Sequence, residues 1–160
     1  MLHIDIICVG KIKEQYLKDA VNEYSKRLSK YCSLNILELP DKQVPNNLND
    51  KICENIKQFE SKNILSHIKK DSYIVCLDLK GKQYTSNEFA QKLDNIALNY
   101  NSNITFIIGG TLGMTNELLQ KADELICFSK MTFPHQLIRV FLLEQIFRAF
   151  KILNNETYHR

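Results

Sequence analysis

Two neighbouring loops, and the helix that follows them, hold the residues with which this chain could do chemistry. Gly109-Gly110-Thr111-Leu112-Gly113 follows the apolar stretch from Ile104 to Ile108, and Ser129-Lys130-Met131-Thr132-Phe133-Pro134-His135 follows a second one beginning at Leu125. Between Ile104 and His135 stand three of the five glycines and one of the three prolines, so unusual backbone geometry is concentrated here. Glycines after a strand point first to phosphate, but the Gly-x-Gly-x-x-Gly dinucleotide fingerprint would need glycine at Ile108. The acid that would hold a ribose is also missing, because the next strand ends Cys127-Phe128-Ser129. No Gly-x-x-x-x-Gly-Lys-[Ser/Thr] loop occurs, which removes nucleoside-triphosphate chemistry. Alone, the glycine pair makes no more than a tight strand-to-helix turn. The second loop adds a ligand: backbone amides and carbonyls, bulky apolar side chains and a proline that fixes the exit suit an uncharged nucleoside-like group in an apolar slot.

The helix after Pro134 carries an anomaly. At about 100° per residue, Ile138, Leu142, Leu143, Ile146, Ala149, Phe150 and Leu153 share one arc, and Arg139 falls inside it. A guanidinium on an apolar stripe either pairs with a core carboxylate or projects into a site. Lying one turn from the loop, Arg139 is read here as a site residue. Leu137, Val140, Phe141 and Phe147 make the opposite side apolar as well. Such a helix should be covered by a second copy of the chain, so a homodimer is expected. Glu144 and Arg148, spaced i, i+4, can pair on the polar face that remains.

The elements that must position these groups alternate. Strands are predicted over residues 3–9, 34–39, 73–79, 104–108 and 125–129. Helices are predicted over 13–31, then to about 69 behind a cap at Asp50, then over 85–100, 115–122 and 135–153. In the second of these helices Ile52, Ile56 and Phe59 mark the buried face. Lys80-Gly81-Lys82 reads as a turn, and Thr85-Ser86-Asn87-Glu88 has capping-box spacing. The pattern predicts one α/β domain over residues 1–160, a mainly parallel sheet with helices on both faces. Ligands of such sheets bind at the carboxyl ends of the strands, so the loops after Leu77, Ile108 and Phe128 share one edge if those strands are adjacent and parallel.

With 160 residues, 44% hydrophobic and 24% charged, the chain suits one core. No apolar run reaches the ~18 residues of a membrane span, and the opening residues lack a basic leader, so a cytoplasmic protein without membrane contact is expected. Cys8, Cys32, Cys53, Cys76 and Cys127 are too scattered for a disulfide framework or a zinc site, and no metal is expected. The net charge of +3 proves no nucleic-acid partner. Lys11, Lys13, Lys18, Lys26, Arg27 and Lys30 crowd the first fifth of the chain, which fits a solvated helix and a phosphate-facing patch equally well.

Longer motifs carry a family resemblance. Phe106-Ile-Ile-Gly-Gly-x-x-Gly113, the run Phe128-Ser-Lys-Met-Thr-Phe-Pro-His-Gln-x-x-Arg-Val-x-x-x-Glu-Gln-x-Phe-Arg-Ala-Phe-Lys-Ile152 and the closing Tyr158-His159-Arg160 resemble ribosomal RNA large subunit methyltransferase H. Val9-Gly10-Lys11-Ile12-Lys13 and Glu23-Tyr24-x-Lys26-Arg27-Leu28 extend the likeness over essentially the whole chain. The resemblance implies a small homodimeric SPOUT-class enzyme with a carboxyl-terminal trefoil knot. It would transfer a methyl group from S-adenosylmethionine to N3 of a pseudouridine in 23S rRNA of the assembled ribosome. Its cofactor positions would fall on Leu77, on Gly109 and on Phe128, Ser129, Lys130, Met131, Thr132 and Phe133. Thr111 and Leu112 vary in this loop, so neither side chain should matter. Removing the N3 proton needs a base, for which His159 beside Tyr158 ranks ahead of His135, with Arg139 holding a phosphate or the target base. The tail bearing Tyr158 and His159 would order only when RNA or the partner subunit arrives. A ribosome-binding factor without turnover and a flavodoxin-like nucleotide binder are the competing readings.

Overall fold

The computed structural model describes residues 1–100 and 102–158. Strands β1 (Leu2–Val9), β2 (Cys32–Leu39), β3 (Tyr73–Lys82), β4 (Asn103–Ile108) and β5 (Glu124–Ile126) alternate with helices α1 (Gln15–Leu28), α2 (Asp50–His67), α3 (Ser86–Asn99), α4 (Asn116–Lys121) and α5 (His135–Leu153). The strands form one sheet in the order β2-β1-β4-β3-β5, and all four pairings are parallel. Successive crossovers reverse direction along this sheet. Right-handed crossovers that reverse each time must place their helices on opposite faces in turn.

Two cores result. Ile4, Ile6 and Cys8 of β1 point into the core shared with α1, α3 and α5, while Ile7 and Val9 point into the one shared with α2 and α4. Strand alternation alone requires this division. Leu142, Leu143 and Ile146 of α5 are fully buried, each contributing about 1.5–3 kcal/mol by leaving water. α5 lies between α1 and α3, and every residue from His135 to Leu153 is buried or half-buried. Much of the apolar circumference expected to face a second subunit is therefore covered within the chain.

Three local expectations are corrected. Phe59 is 45% exposed, and the buried stripe of α2 runs instead through Ile56, Glu60, Ser61 and Ile64. Polar anchors set that rotation: Ser61 Oγ accepts from the Thr115 amide at 3.0 Å, and Glu60 Oε2 accepts from the Lys42 amide at 3.1 Å. The cap of α2 is Asn49, whose side chain accepts from the Ile52 amide, and Asp50 opens the helix. Nor is Lys80-Gly81-Lys82 a simple turn. β3 pairs with β5 twice, Leu77 and then Lys82 both standing opposite Ile126, with residues 78–81 bulged between them. β5 stops early at Ile126 because the chain is then drawn aside, the Cys127 amide donating to the Lys82 carbonyl at 3.0 Å. The capping box at Thr85 and Glu88 forms as predicted.

A Cβ at Gly81 would lie 2.5 Å from the Ile126 carbonyl carbon and 2.6 Å from its nitrogen. Backbone cannot yield as a flexible side chain does. Gly81→Ala is expected to lower unfolding free energy by about 1–3 kcal/mol in urea denaturation, the scale of overpacking. A loss below about 0.5 kcal/mol would show that β3 tolerates a different path here.

Candidate functional site

Because β4, β3 and β5 are adjacent and parallel, the loops leaving them meet at one sheet edge. Between them lies a cleft of about 380 Å³, walled by Leu77 to Lys80, by Ile108 to Thr111 with Gly113 and Met114, and by residues 126–129 and 131–133, with His135 and Ile138 of α5 at its back. Of the eight positions expected to hold a cofactor, Leu77, Gly109, Phe128, Ser129, Met131, Thr132 and Phe133 line this cleft, and Lys130 does not. The loop holds its shape through itself: Ser129 Oγ accepts from the Met131 amide at 3.0 Å, and the Cys127 thiol donates to the Ser129 carbonyl at 2.9 Å. Phe133 stands edge-on to Phe141 at 5.3 Å, which pins the loop to α5. A Cβ at Gly109 would lie 2.8 Å from Met114 Cγ, so only glycine lets the loop pack this closely on Met114. Thr111 stands on the wall with its neighbours. A small, mainly apolar cleft edged by backbone polar groups fits an adenosine-like ligand.

Arg139 is not in this cleft. It is 2% exposed and paired: Nη1 meets Glu38 Oε2 at 2.7 Å, and Nη2 donates to the carbonyls of Gly10 at 2.7 Å and Val9 at 3.3 Å. This is the core-carboxylate arrangement rather than a group aimed at substrate. Glu38 Oε2 also accepts from the Ile12 amide at 2.9 Å. Gly10 adopts φ +91, a conformation costly for any other residue, and so turns its carbonyl toward the guanidinium. Periodicity exposed the misfit of Arg139 but could not identify Glu38, which is 101 positions away.

His135 has its Nε2 against Gly10, beside Asp41. Burial lowers its pKa, the Arg139 charge adds to that, and Asp41 opposes it. The ring is therefore neutral at pH 7. Tyr158 is not loose: its hydroxyl donates to Glu144 Oε2 at 2.8 Å, its ring stands edge-on to Phe147 at 5.1 Å, and the Arg148 guanidinium lies 4.7 Å over it. Glu144 takes Arg148 at 2.6 Å, the expected i, i+4 pair. Burial and the Glu144 carboxylate raise the Tyr158 pKa, so it is a neutral donor and no phenolate base. The tail is docked as far as Tyr158 within this one chain. His159 lies outside the described residues. Glu144 also faces a second cavity of about 280 Å³ on the far side of the loop, walled by Ser86, Phe89 and Phe141.

Sequence reasoning missed Glu38 and Glu60. Glu60 had a readable signal, because it continues the i, i+4 row of Ile52 and Ile56 into the apolar face.

Residues 2–159 match the family described as "Predicted SPOUT methyltransferase". Proteins called ribosomal RNA large subunit methyltransferase H from Clostridium perfringens strain 13, Clostridium botulinum strain Eklund 17B and Clostridium acetobutylicum are each 54% identical, over 99% of this chain and 100% of theirs. A probable methylase family protein from Haemophilus influenzae shares the fold with a TM-score of 0.55 and 14% identity, over 98% of this chain and 70% of its own.

Truncating Arg139 removes the guanidinium from Glu38, which keeps only the Ile12 amide, and from two carbonyls. With Glu38 about one-third exposed, the expected cost of Arg139→Ala in urea denaturation is about 2–4 kcal/mol, below the range for a fully buried pair. A stable variant that binds ligand normally yet is inactive would instead return Arg139 to the reacting centre.

Proposed function

The chain belongs to the SPOUT methyltransferase family and is an enzyme of the ribosomal RNA large subunit methyltransferase H kind, and from that premise we propose the full reaction. It takes the methyl group of S-adenosylmethionine to N3 of a pseudouridine in 23S rRNA of the assembled ribosome. The observation that carries this reading is the cleft itself: three parallel-strand loops enclose an apolar slot of nucleoside size at the carboxyl edge of the sheet.

S-adenosylmethionine supplies an activated methyl group on a sulfonium, so the chain's own task is alignment and the removal of one proton. Leu77, Gly109, Met131 and Phe133 form the walls that would hold the adenosine, with backbone groups of residues 128–132 at its polar edge. His135 reaches the back of the slot as a neutral imidazole able to accept the N3 proton of the target imide. Burial, reinforced by the nearby Arg139 charge, disfavours protonation of the ring. We rank His135 ahead of Tyr158 as the base, since the Tyr158 hydroxyl donates to Glu144 Oε2.

Leu79, Met131 and Phe133 are 59%, 74% and 38% exposed around the mouth of the slot. An apolar rim suits cover by a second copy, so the enzyme is read as a homodimer working in the cytoplasm. The exposed lysines 11, 13, 18, 26 and 30 at and near α1 would lie along ribosomal RNA, making contacts that position rather than specify.

Transfer of a labelled methyl group to ribosomes from cells lacking this activity should occur, and its absence despite bound S-adenosylmethionine would leave only a ribosome-binding factor. His135→Asn is expected to lower kcat by about 10²-fold or more with donor affinity within about threefold. Unaltered turnover would pass proton removal to His159. Since the His135 pKa lies below its ordinary 6.5, the rate set by this group should fall only below that pH and be level at neutrality.

A further inference from the structure

Almost every tyrosine of the chain is engaged: Tyr24, Tyr31, Tyr73, Tyr100 and Tyr158 stand against other rings, and Tyr84 bonds to Glu124. Tyr16 is the exception. It is 70% exposed, and neither its ring nor its hydroxyl has a partner among the described residues. It stands in the first turn of α1, where the stretch from Lys11 to Lys18 holds Lys11, Lys13 and Lys18 against one acid, Glu14. Among the described residues none of these three lysines is ion-paired. Further along α1 the cations are occupied: Arg27 meets Glu23 at 3.0 Å, and Lys30 lies 4.9 Å over the Tyr31 ring.

The approach to Tyr16 is anchored. Gly10 gives its carbonyl to Arg139, the Ile12 amide donates to Glu38 at 2.9 Å, and the Ile12 side chain is buried. Lys11 and Lys13, on either side of it, are both exposed. This loop leaves β1 at the same carboxyl edge as the slot, because β1 runs parallel to β4 beside it, and Gly10 adjoins His135 on the slot's back wall. An unpartnered ring among unpaired cations has the two elements that single-stranded RNA needs, a surface on which a base stacks and charge for its phosphates. The proposed reaction requires such a strand. N3 of a pyrimidine carries the proton used in Watson–Crick pairing, so the methylated nucleotide must be presented unpaired, and one that leaves its stack exposes the face of the next base. We propose that Tyr16 stacks on an unpaired rRNA base flanking the one that is methylated, while Lys11 and Lys13 hold the adjoining phosphates. The inference rests on the reaction proposed above and adds to it a contact that recognises an exposed base, whereas lysines alone answer to any phosphate backbone.

Ribosomes from cells lacking this methylation provide the test. In co-sedimentation, Tyr16→Ala should bind them about tenfold or more weakly, and Tyr16→Phe, which keeps the ring, should stay within about threefold of wild type. Neither should alter S-adenosylmethionine affinity in calorimetry by more than about threefold. Salt separates stacking from charge. Joint replacement Lys11→Gln and Lys13→Gln should reduce the slope of log affinity against log salt by about one or more, whereas Tyr16→Ala should leave it unchanged, since stacking releases no counterion. Unchanged ribosome affinity in Tyr16→Ala, an equal loss in Tyr16→Phe, or a slope that falls with Tyr16→Ala would each overturn the stacking, and an unaltered slope in the lysine pair would overturn their phosphate role. A photoreactive p-benzoylphenylalanine placed at position 16 should crosslink to 23S rRNA. Crosslinks confined to a ribosomal protein or to a second copy of the chain would overturn the inference, and this readout decides it should Tyr16→Ala not fold. If wild-type protein binds S-adenosylmethionine but methylates no ribosomes, the proposed reaction fails and takes the inference with it; if it methylates them and Tyr16→Ala binds as tightly, the inference alone fails.

Discussion

A buried guanidinium needs compensation, and the bonds that both Nη atoms of Arg139 make to supply it organise the molecule. Its partners come from the end of β1, the end of β2 and the turn into α1. One side chain thereby locks the first two strands to the last helix. His135, one turn earlier on α5, has its basicity depressed by burial and further by the charge of this junction. The candidate site's edge is thus held by the Arg139 ion pair and by apolar packing of α5.

The fold was legible because it depends on short-range pattern. α5 falls on residues 135–153 as periodicity requires, and the alternation of strand and helix implied parallel pairing and a ligand at the strand ends. The cleft's place was legible from the strand ends for the same reason, and the family resemblance marked seven of its wall positions. What could not be read depends on distant partners. Whether Arg139 faces a site or a carboxylate is decided by Glu38, and whether α2 buries Phe59 or Glu60 is decided by Ser61 meeting the Thr115 amide. The second pairing of β3 was hidden because Gly81 looks like any turn glycine until the backbone of Ile126 stands beside it.

Polar groups in this chain fall into two classes. Ser61, Tyr158 and the two Nη atoms of Arg139 are bonded and hold elements together, while Arg139 Nε is without a hydrogen-bond partner among the described residues. Glu60 is enclosed with one oxygen unmet among the described residues, and the fold bears that cost beside the glycine loop.

The junction at Arg139 also fixes when the cleft comes into being. Its bond to Gly10 spans 129 positions, and β1 pairs with β4 across a comparable stretch of chain. Contacts so remote in sequence form late, after the entropy of closing long loops has been met. A nascent chain therefore has all five strands before it has the cleft, because α5, which follows them, completes both the core and the cleft. A ligand that binds only the finished cleft stabilises the completed chain by mass action, so donor supply and chain maturation are thermodynamically coupled.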